Sequence, residues 1–100
     1  MNRVLNMLGL CMRAGKLISG EKAVVQAVRM GAACVVLLDG GAAANAEKDI
    51  SDACAYYEVP LIRTEADELG YAIGKPGRMA AAVTDPSMAD RILELWKTAR

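Results

Sequence analysis

Residues 33–38 read Ala-Cys-Val-Val-Leu-Leu, ACVVLL, six apolar residues without a polar interruption. A strand with one wet face alternates polar and apolar positions. A continuous run of this length reads instead as a strand covered on both faces. Asp39-Gly40-Gly41 follows it and marks the turn that ends it. A strand buried on both sides needs helices on both sides, and the flanking sequence supplies them.

Upstream, Val24, Ala27 and Val28 form one apolar face of a helix that Ser19 is placed to cap and Gly31 to end. Lys22, Gln26 and Arg29 share its other face. Earlier still, Val4, Leu5, Leu8, Cys11 and Met12 recur at helical spacing up to Gly15, and Lys16, Leu17 and Ile18 make a strand too short to stand alone. Downstream, a helix over 45–57 is expected to bury Ile50, Ala53, Cys54 and Tyr57. Pro60 follows it, and then a strand over 61–63. Thr64 with Asp67 has capping-box spacing for a short helix through Ala72. The last strand is expected over 79–84. Asp85 then caps, and Pro86 starts, a helix whose inner face is Met88, Ile92, Leu95 and Trp96. The fold class is therefore α/β: a three-layer α/β/α sandwich with helices on both faces of a small sheet.

One hundred residues allow a single domain, 1–100, with one core and no room for a separate substrate domain. Hydrophobic content of 54% beside 24% charged residues belongs to a compact fold, not a disordered chain. Arg3 and Arg13 enclose only nine residues with no small-residue cleavage site after them, so the N-terminal stretch reads as a helix, not a leader. No uncharged window approaches the roughly 18 residues of a membrane span, and a cytoplasmic protein is expected. Cys11, Cys34 and Cys54 form no C-x-x-C and the chain has no histidine, which removes ordinary zinc spacing and histidine catalysis. All three cysteines are expected to be buried and unpaired.

Zero net charge conceals a strong asymmetry along the chain. Residues 1–31 carry Arg3, Arg13, Lys16, Lys22 and Arg29 against Glu21, a balance of +4. Residues 32–74 carry Lys48 and Arg63 against eight acids, a balance of −6, and residues 75–100 return +2. One basic side and one acidic side are expected.

Several chemistries then fall away. VVLLDGGAAAN lacks both G-x-G-x-x-G and G-K-[ST], so its two glycines read as a turn. Asp39 at a strand end invites comparison with phosphate-accepting aspartates. Those need an early acidic cluster for Mg²⁺, and the first acid here is Glu21. Ser19, Ser51 and Ser87 have no base and no G-x-S-x-G. The acids between 39 and 68 leave a carboxylate pair open, but most map to solvated helix faces, and no enzyme is expected. With no phenylalanine, an aromatic RNA platform is not expected either.

What remains is the start of the second helix. Its first backbone N–H groups, near Gly20, suit phosphate, and Lys22 and Gln26 are placed to follow a groove and offer donors to purine edges. Equally open on these residues alone is a plain capped helix with solvated Lys22 and Arg29.

The order RAGKLISGE, VVLL, CAYYEVPLI, ELGYAIGK and AVTD over residues 2–92 resembles the L-seven-Ae and L-thirty-e ribosomal protein superfamily, in particular its short bacterial YlxQ-type branch. The resemblance implies a four-stranded mixed sheet and a kink-turn or related internal-loop RNA ligand. It places that RNA between the start of the second helix and the loop before the last strand. Carried over by position, it implies RNA contacts from Arg13, Lys16, Ser19, Gly20, Glu21, Lys22 and Gln26, and from Lys75, Pro76, Gly77 and Arg78. The family pattern is matched at Gly20, Lys22 and Ala27. Gln26 stands where lysine is usual, and Ala23 where a Glu or Gln reads a guanine edge. Gly40 and Gly41 replace frequent acids, and Lys75–Arg78 replaces a commonly apolar loop. The chain is thus expected to grip phosphate more than to read bases, as a monomer on structured, possibly ribosomal, RNA, without cofactor, metal or small-molecule substrate. One basic patch joining Lys16, Lys22 and Lys75 to Arg78 would mark that function. The alternative is a protein-interaction module that uses an acidic helical face around Glu47, Asp49 and Asp52.

Overall fold

The computed structural model describes residues 2–99; the expected domain limits at residues 1 and 100 lie outside them. Five helices and four strands alternate: α1 (Asn2–Arg13), β1 (Leu17–Ser19), α2 (Glu21–Arg29), β2 (Val35–Leu38), α3 (Ala44–Tyr56), β3 (Leu61–Arg63), α4 (Glu68–Ala72), β4 (Ala80–Val83) and α5 (Pro86–Ala99). The strands form one sheet in the order β1-β4-β2-β3. β4 runs antiparallel to both β1 and β2, and β2 runs parallel to β3, so the sheet is mixed as expected.

Val35–Leu38 of the ACVVLL run form β2, buried at every position, with Ala33 and the half-buried Cys34 preceding the strand, and its neighbour β4 is buried throughout as well. Because successive strand side chains point to opposite faces, the sheet divides its apolar residues between two cores. Val35, Leu37, Ile62, Ala81 and Val83 face α1, α4 and α5, where Val4, Leu8, Leu69 and Ile92 pack on them. Val36, Leu38, Ala80 and Ala82 face α2 and α3, where Val24, Val28, Ile50 and Cys54 pack. Each large buried aliphatic side chain contributes roughly 1.5–3 kcal/mol through its removal from water. The three alanines of β4 keep the middle of the sheet thin, so helices approach closely from both sides.

Local expectations fail in three places, each for a tertiary reason. Ser19 does not cap α2: it is the last residue of β1, paired with Ala81, and the ladder continues to a bond from Gly20 N to the Ala80 carbonyl (3.0 Å). Gly20 takes the cap position, with no side-chain cap. Thr64 does not cap α4, because its hydroxyl is turned to the carboxylate of Asp39 (3.3 Å). Asp67 holds the cap position in the left-handed region, φ 69°, and Glu68 Oε1 accepts from Glu65 N (3.0 Å). Tyr57 is 45% exposed, not buried, since α3 ends at Tyr56 and the helical spacing that carries Ala46, Ile50 and Cys54 inward stops there. By contrast Asp85 caps α5 as expected, its Oδ2 accepting from Met88 N at 2.9 Å.

Candidate nucleic-acid interface

β1, β2 and β3 all end, and β4 begins, at one edge of the molecule, and the loops there are tied together by a buried charge. Asp39 follows β2 and is only 2% exposed. Its Oδ2 accepts from Gly41 N and Asp67 N (both 2.8 Å), and its Oδ1 from Leu69 N (3.1 Å) and the Thr64 hydroxyl. Its own N–H donates to the Met79 carbonyl at 2.8 Å. Burial pushes the carboxyl pKa up, but the N–H groups of Asp67, Gly41 and Leu69 and the Thr64 hydroxyl more than offset it, leaving Asp39 below the ordinary carboxylate value. One side chain thereby fixes the loop after β2, the loop after β3, and the start of α4.

α4 in turn carries the basic loop. Lys75 N donates to the Gly70 carbonyl (2.8 Å), and Arg78 N donates to the Lys75 carbonyl (3.2 Å). Pro76 at the second position and Gly77 at the third, with φ 90°, make this a type II turn. The turn rests directly on Gly70, where an added Cβ would come within 2.8 Å of the Lys75 carbonyl oxygen and 3.0 Å of Gly77 N. Gly70 was not singled out in the sequence. Its signal is a glycine inside a short helix, which needs a packing reason.

The turn delivers Arg78 onto the start of α2. Arg78 Nη1 donates to the Ser19 carbonyl at 3.4 Å and lies 2.8 Å from where a Gly20 Cβ would stand. Gly20 has φ 106° and ψ 141°, a conformation open to glycine and strained for other residues. Beyond it, α2 opens with no side chain capping its first N–H groups, so the positive end of the helix and the guanidinium face the same solvent. Glu21, Lys22 and Gln26 are exposed along this helix, with Gln26 Nε2 turned away toward Met30 Sδ (3.5 Å). Among the described residues neither Lys22, Lys75 nor Arg78 forms an ion pair, whereas Lys48, Arg63 and Arg91 each pair with a carboxylate.

Not every expected residue joins this group. Lys16 precedes β1 at the opposite end, where its carbonyl accepts from Thr84 N (3.0 Å). Four residue-to-residue steps of extended chain separate it from Gly20, about 13 Å. Arg13 folds back along α1, its Nη1 beside Gly9 on the side that contacts the Ala72 carbonyl. Lys16 and Gly20 therefore stand at opposite ends of β1, because the strand is extended and holds its ends apart. The cysteines also differ slightly from expectation: Cys11 and Cys54 are buried and Cys34 is only half-buried, all three free.

The layer arrangement and the β1-β4-β2-β3 order, with a glycine-started helix and a basic turn at one sheet end, define a class of small α/β/α sandwich. The chain belongs to the ribosomal protein L7Ae/L30e/S12e/Gadd45 family, whose profile matches residues 2–93. Its relatives include the RNA-binding protein YlxQ of Bacillus subtilis (strain 168), 41% identical over 90 residues that cover 89% of this chain and 90% of the relative. The RNA-binding protein YlxQ of Enterococcus faecium is 36% identical over 94 residues, 93% of this chain and 90% of that one. Among solved structures, a Bacillus halodurans C protein described as of unknown function superposes with a TM-score of 0.88 at 34% identity, covering 94% of this chain and 96% of its own. The Giardia lamblia 15.5kD RNA binding protein has the same fold, with a TM-score of 0.75 at 17% identity over 94% of this chain and 84% of its own.

Proposed function

We propose that this chain is a non-enzymatic RNA-binding protein that grips a kink-turn or related internal-loop RNA as a monomer, in the cytoplasm and in association with ribosomal or other ribonucleoprotein RNA. The observation that carries the reading is Arg78 seated over Gly20 at the uncapped start of α2. Backbone N–H groups at a helix start and an arginine without a carboxylate partner are both phosphate ligands, and here they converge. The names of the YlxQ relatives support the same ligand class. In this reading Gly20, Lys22 and Arg78 hold the backbone, Glu21 and Gln26 flank it, and Lys75, Pro76 and Gly77 position Arg78. Ser19 contributes its carbonyl. Arg13 and Lys16, from the other end of β1, contribute only to the long-range field.

Ala23 gives the test, because it removes an edge-reading group from an otherwise phosphate-binding surface. Ala23→Gln restores a donor and acceptor without changing charge. It should raise the preference for a kink-turn over a plain duplex by about 1 kcal/mol, the lower end of a bidentate base contact. The measurement is competitive binding of both RNAs at 0.15 M salt. Equal binding of the two RNAs by wild type and variant would end the kink-turn assignment. The alternative in which the acidic face around Glu47, Asp49 and Asp52 acts alone has less support, since Glu47 is paired with Arg63 (3.1 Å) and Asp52 with Lys48 (2.9 Å).

A further inference from the structure

α2 and α3 lie side by side on one face of the sheet. Both start at the Gly20 end, because each follows a strand that finishes there. Between them runs an open groove of about 860 Å³. Its floor is apolar and partly small: Val25, Ala46, Ile50 and Ala53. Its α2 wall carries Glu21 at the start and then Lys22, Gln26 and Arg29, and its α3 wall carries Asn45, Asp49 and Asp52, the last also paired with Lys48 at 2.9 Å. Tyr56 and Tyr57 close the far end as an edge-to-face pair, ring centroids 4.9 Å apart, and Tyr56 is 80% exposed. Met30, 72% exposed, follows α2 and accepts from Gln26, outside the groove's lining.

Tyrosine and arginine around an apolar floor are enriched in interface cores relative to ordinary surface. The walls say what kind of partner fits. An RNA strand in this groove would bring its phosphates past Asp49 and Asp52, while an acidic segment alone would gain from α2 and be repelled by α3. The side of α3 from Asn45 to Tyr56 spans about 16 Å, three turns of a helix. We propose that the α2–α3 groove docks an amphipathic helix of a partner protein, apolar along its inner ridge, with an acidic flank toward Lys22 and Arg29 and a basic flank toward Asp49 and Asp52. Alanines at positions 46 and 53 let that helix approach closely, and Tyr56 packs across its end. This surface does not depend on the RNA reading, but Glu21, Lys22 and Gln26 border both sites. RNA and the partner helix would therefore meet at Lys22, while Arg29 and Tyr56 belong to the groove alone.

Three synthetic helical peptides test the groove, all sharing one leucine ridge. The first has one glutamate and one lysine flank, the second has glutamate on both, and the third has lysine on both. Binding is followed by fluorescence anisotropy and by amide shifts of the labelled protein. The mixed peptide should bind at least tenfold more tightly than either uniform one, with shifts confined to α2 and α3. Arg29 and Tyr56 are exposed and make no ion pair among the described residues, so Arg29→Glu and Tyr56→Ala should leave the fold intact. Arg29→Glu should transfer the preference to the all-lysine peptide, and Tyr56→Ala should weaken the mixed peptide severalfold. Equal affinity for the three peptides, no binding of any, or shifts elsewhere would overturn the proposal. So would kink-turn RNA shifting Arg29 and Tyr56 as strongly as Lys22 and Arg78, which would assign the groove to RNA. Kink-turn binding that survives unchanged in Arg29→Glu separates a failure here from a failure at the Gly20 end.

Discussion

The Asp39 carboxylate and the Arg78 guanidinium stand at the same end of the sheet, and their surroundings differ in kind. Asp39 is almost fully buried and accepts from three backbone N–H groups and a hydroxyl. Arg78 is exposed and makes one long contact to a carbonyl. A buried charge costs several kcal/mol to desolvate and persists only where its partners are complete. An exposed cation costs little to leave unpaired and stays available to an incoming anion. The first charge therefore builds the loops, and the second is held out by them.

Removing Asp39 should have the largest effect on stability. Asp39→Ala leaves the N–H groups of Gly41, Asp67 and Leu69 without their acceptor, at an expected cost of about 3–5 kcal/mol in urea unfolding. Asp39→Asn keeps one oxygen and should cost about half as much. The pH dependence has a definite sign. The folded-state pKa lies below the ordinary 3.8, so the stabilisation is complete above that value and is lost as pH falls below it toward the folded-state value. Wild type should lose stability in that acid window, and Asp39→Asn should show a shallower loss. An unchanged acid profile in the variant would mean that Asp39 does not hold these loops.

Gly20 connects the two regions, and its replacement should cost less. Gly20→Ala must adopt φ near 106° and should lose about 1–3 kcal/mol. The added Cβ also meets Arg78 Nη1, so RNA affinity should fall along with stability. Arg78→Glu should separate the two: unfolding within about 0.5 kcal/mol of wild type, since the side chain is exposed, but RNA affinity at least about tenfold lower. The slope of log affinity against log salt should drop by about 0.7–0.9 for each phosphate that the variant no longer neutralises. If Arg78→Glu instead destabilised the fold and left the salt slope alone, the contrast with Asp39 would collapse.

What could be read from the chain follows the range of the forces involved. β2 was visible in ACVVLL because burial on both faces is written in consecutive residues. The inner faces of α1, α2 and α5 were visible because their periodicity is local. The caps at Ser19 and Thr64 were misread because partners 62 and 25 positions away, Ala81 and Asp39, claimed those residues. Asp39 itself looked like a turn residue, for its donors lie as far as 30 positions along the chain. That Arg78 meets Gly20 was suggested by the family resemblance, and nothing in composition or spacing carried it. Tyr56 and Tyr57 are too few for an RNA platform, and only the packing of α2 beside α3 gives them a groove to close.

The smallest expected effect is also the sharpest check on where the interface ends. Lys16 belongs to the same basic N-terminal third as Lys22, and composition alone gives them equal weight. The fold does not, since β1 holds Lys16 about 13 Å from Gly20. At that distance in water two unit charges interact by about 0.3 kcal/mol, and at 0.15 M salt screening leaves about a fifth of it. Lys16→Glu should therefore change RNA affinity by no more than about 0.2 kcal/mol and leave the salt slope as it is. Lys22→Glu, on the first turn of α2, should lower both. Titrations of the two variants against one kink-turn RNA, repeated at two salt concentrations, make the comparison directly. Equal losses from Lys16→Glu and Lys22→Glu would mean that RNA runs the length of β1 instead of stopping at the helix start.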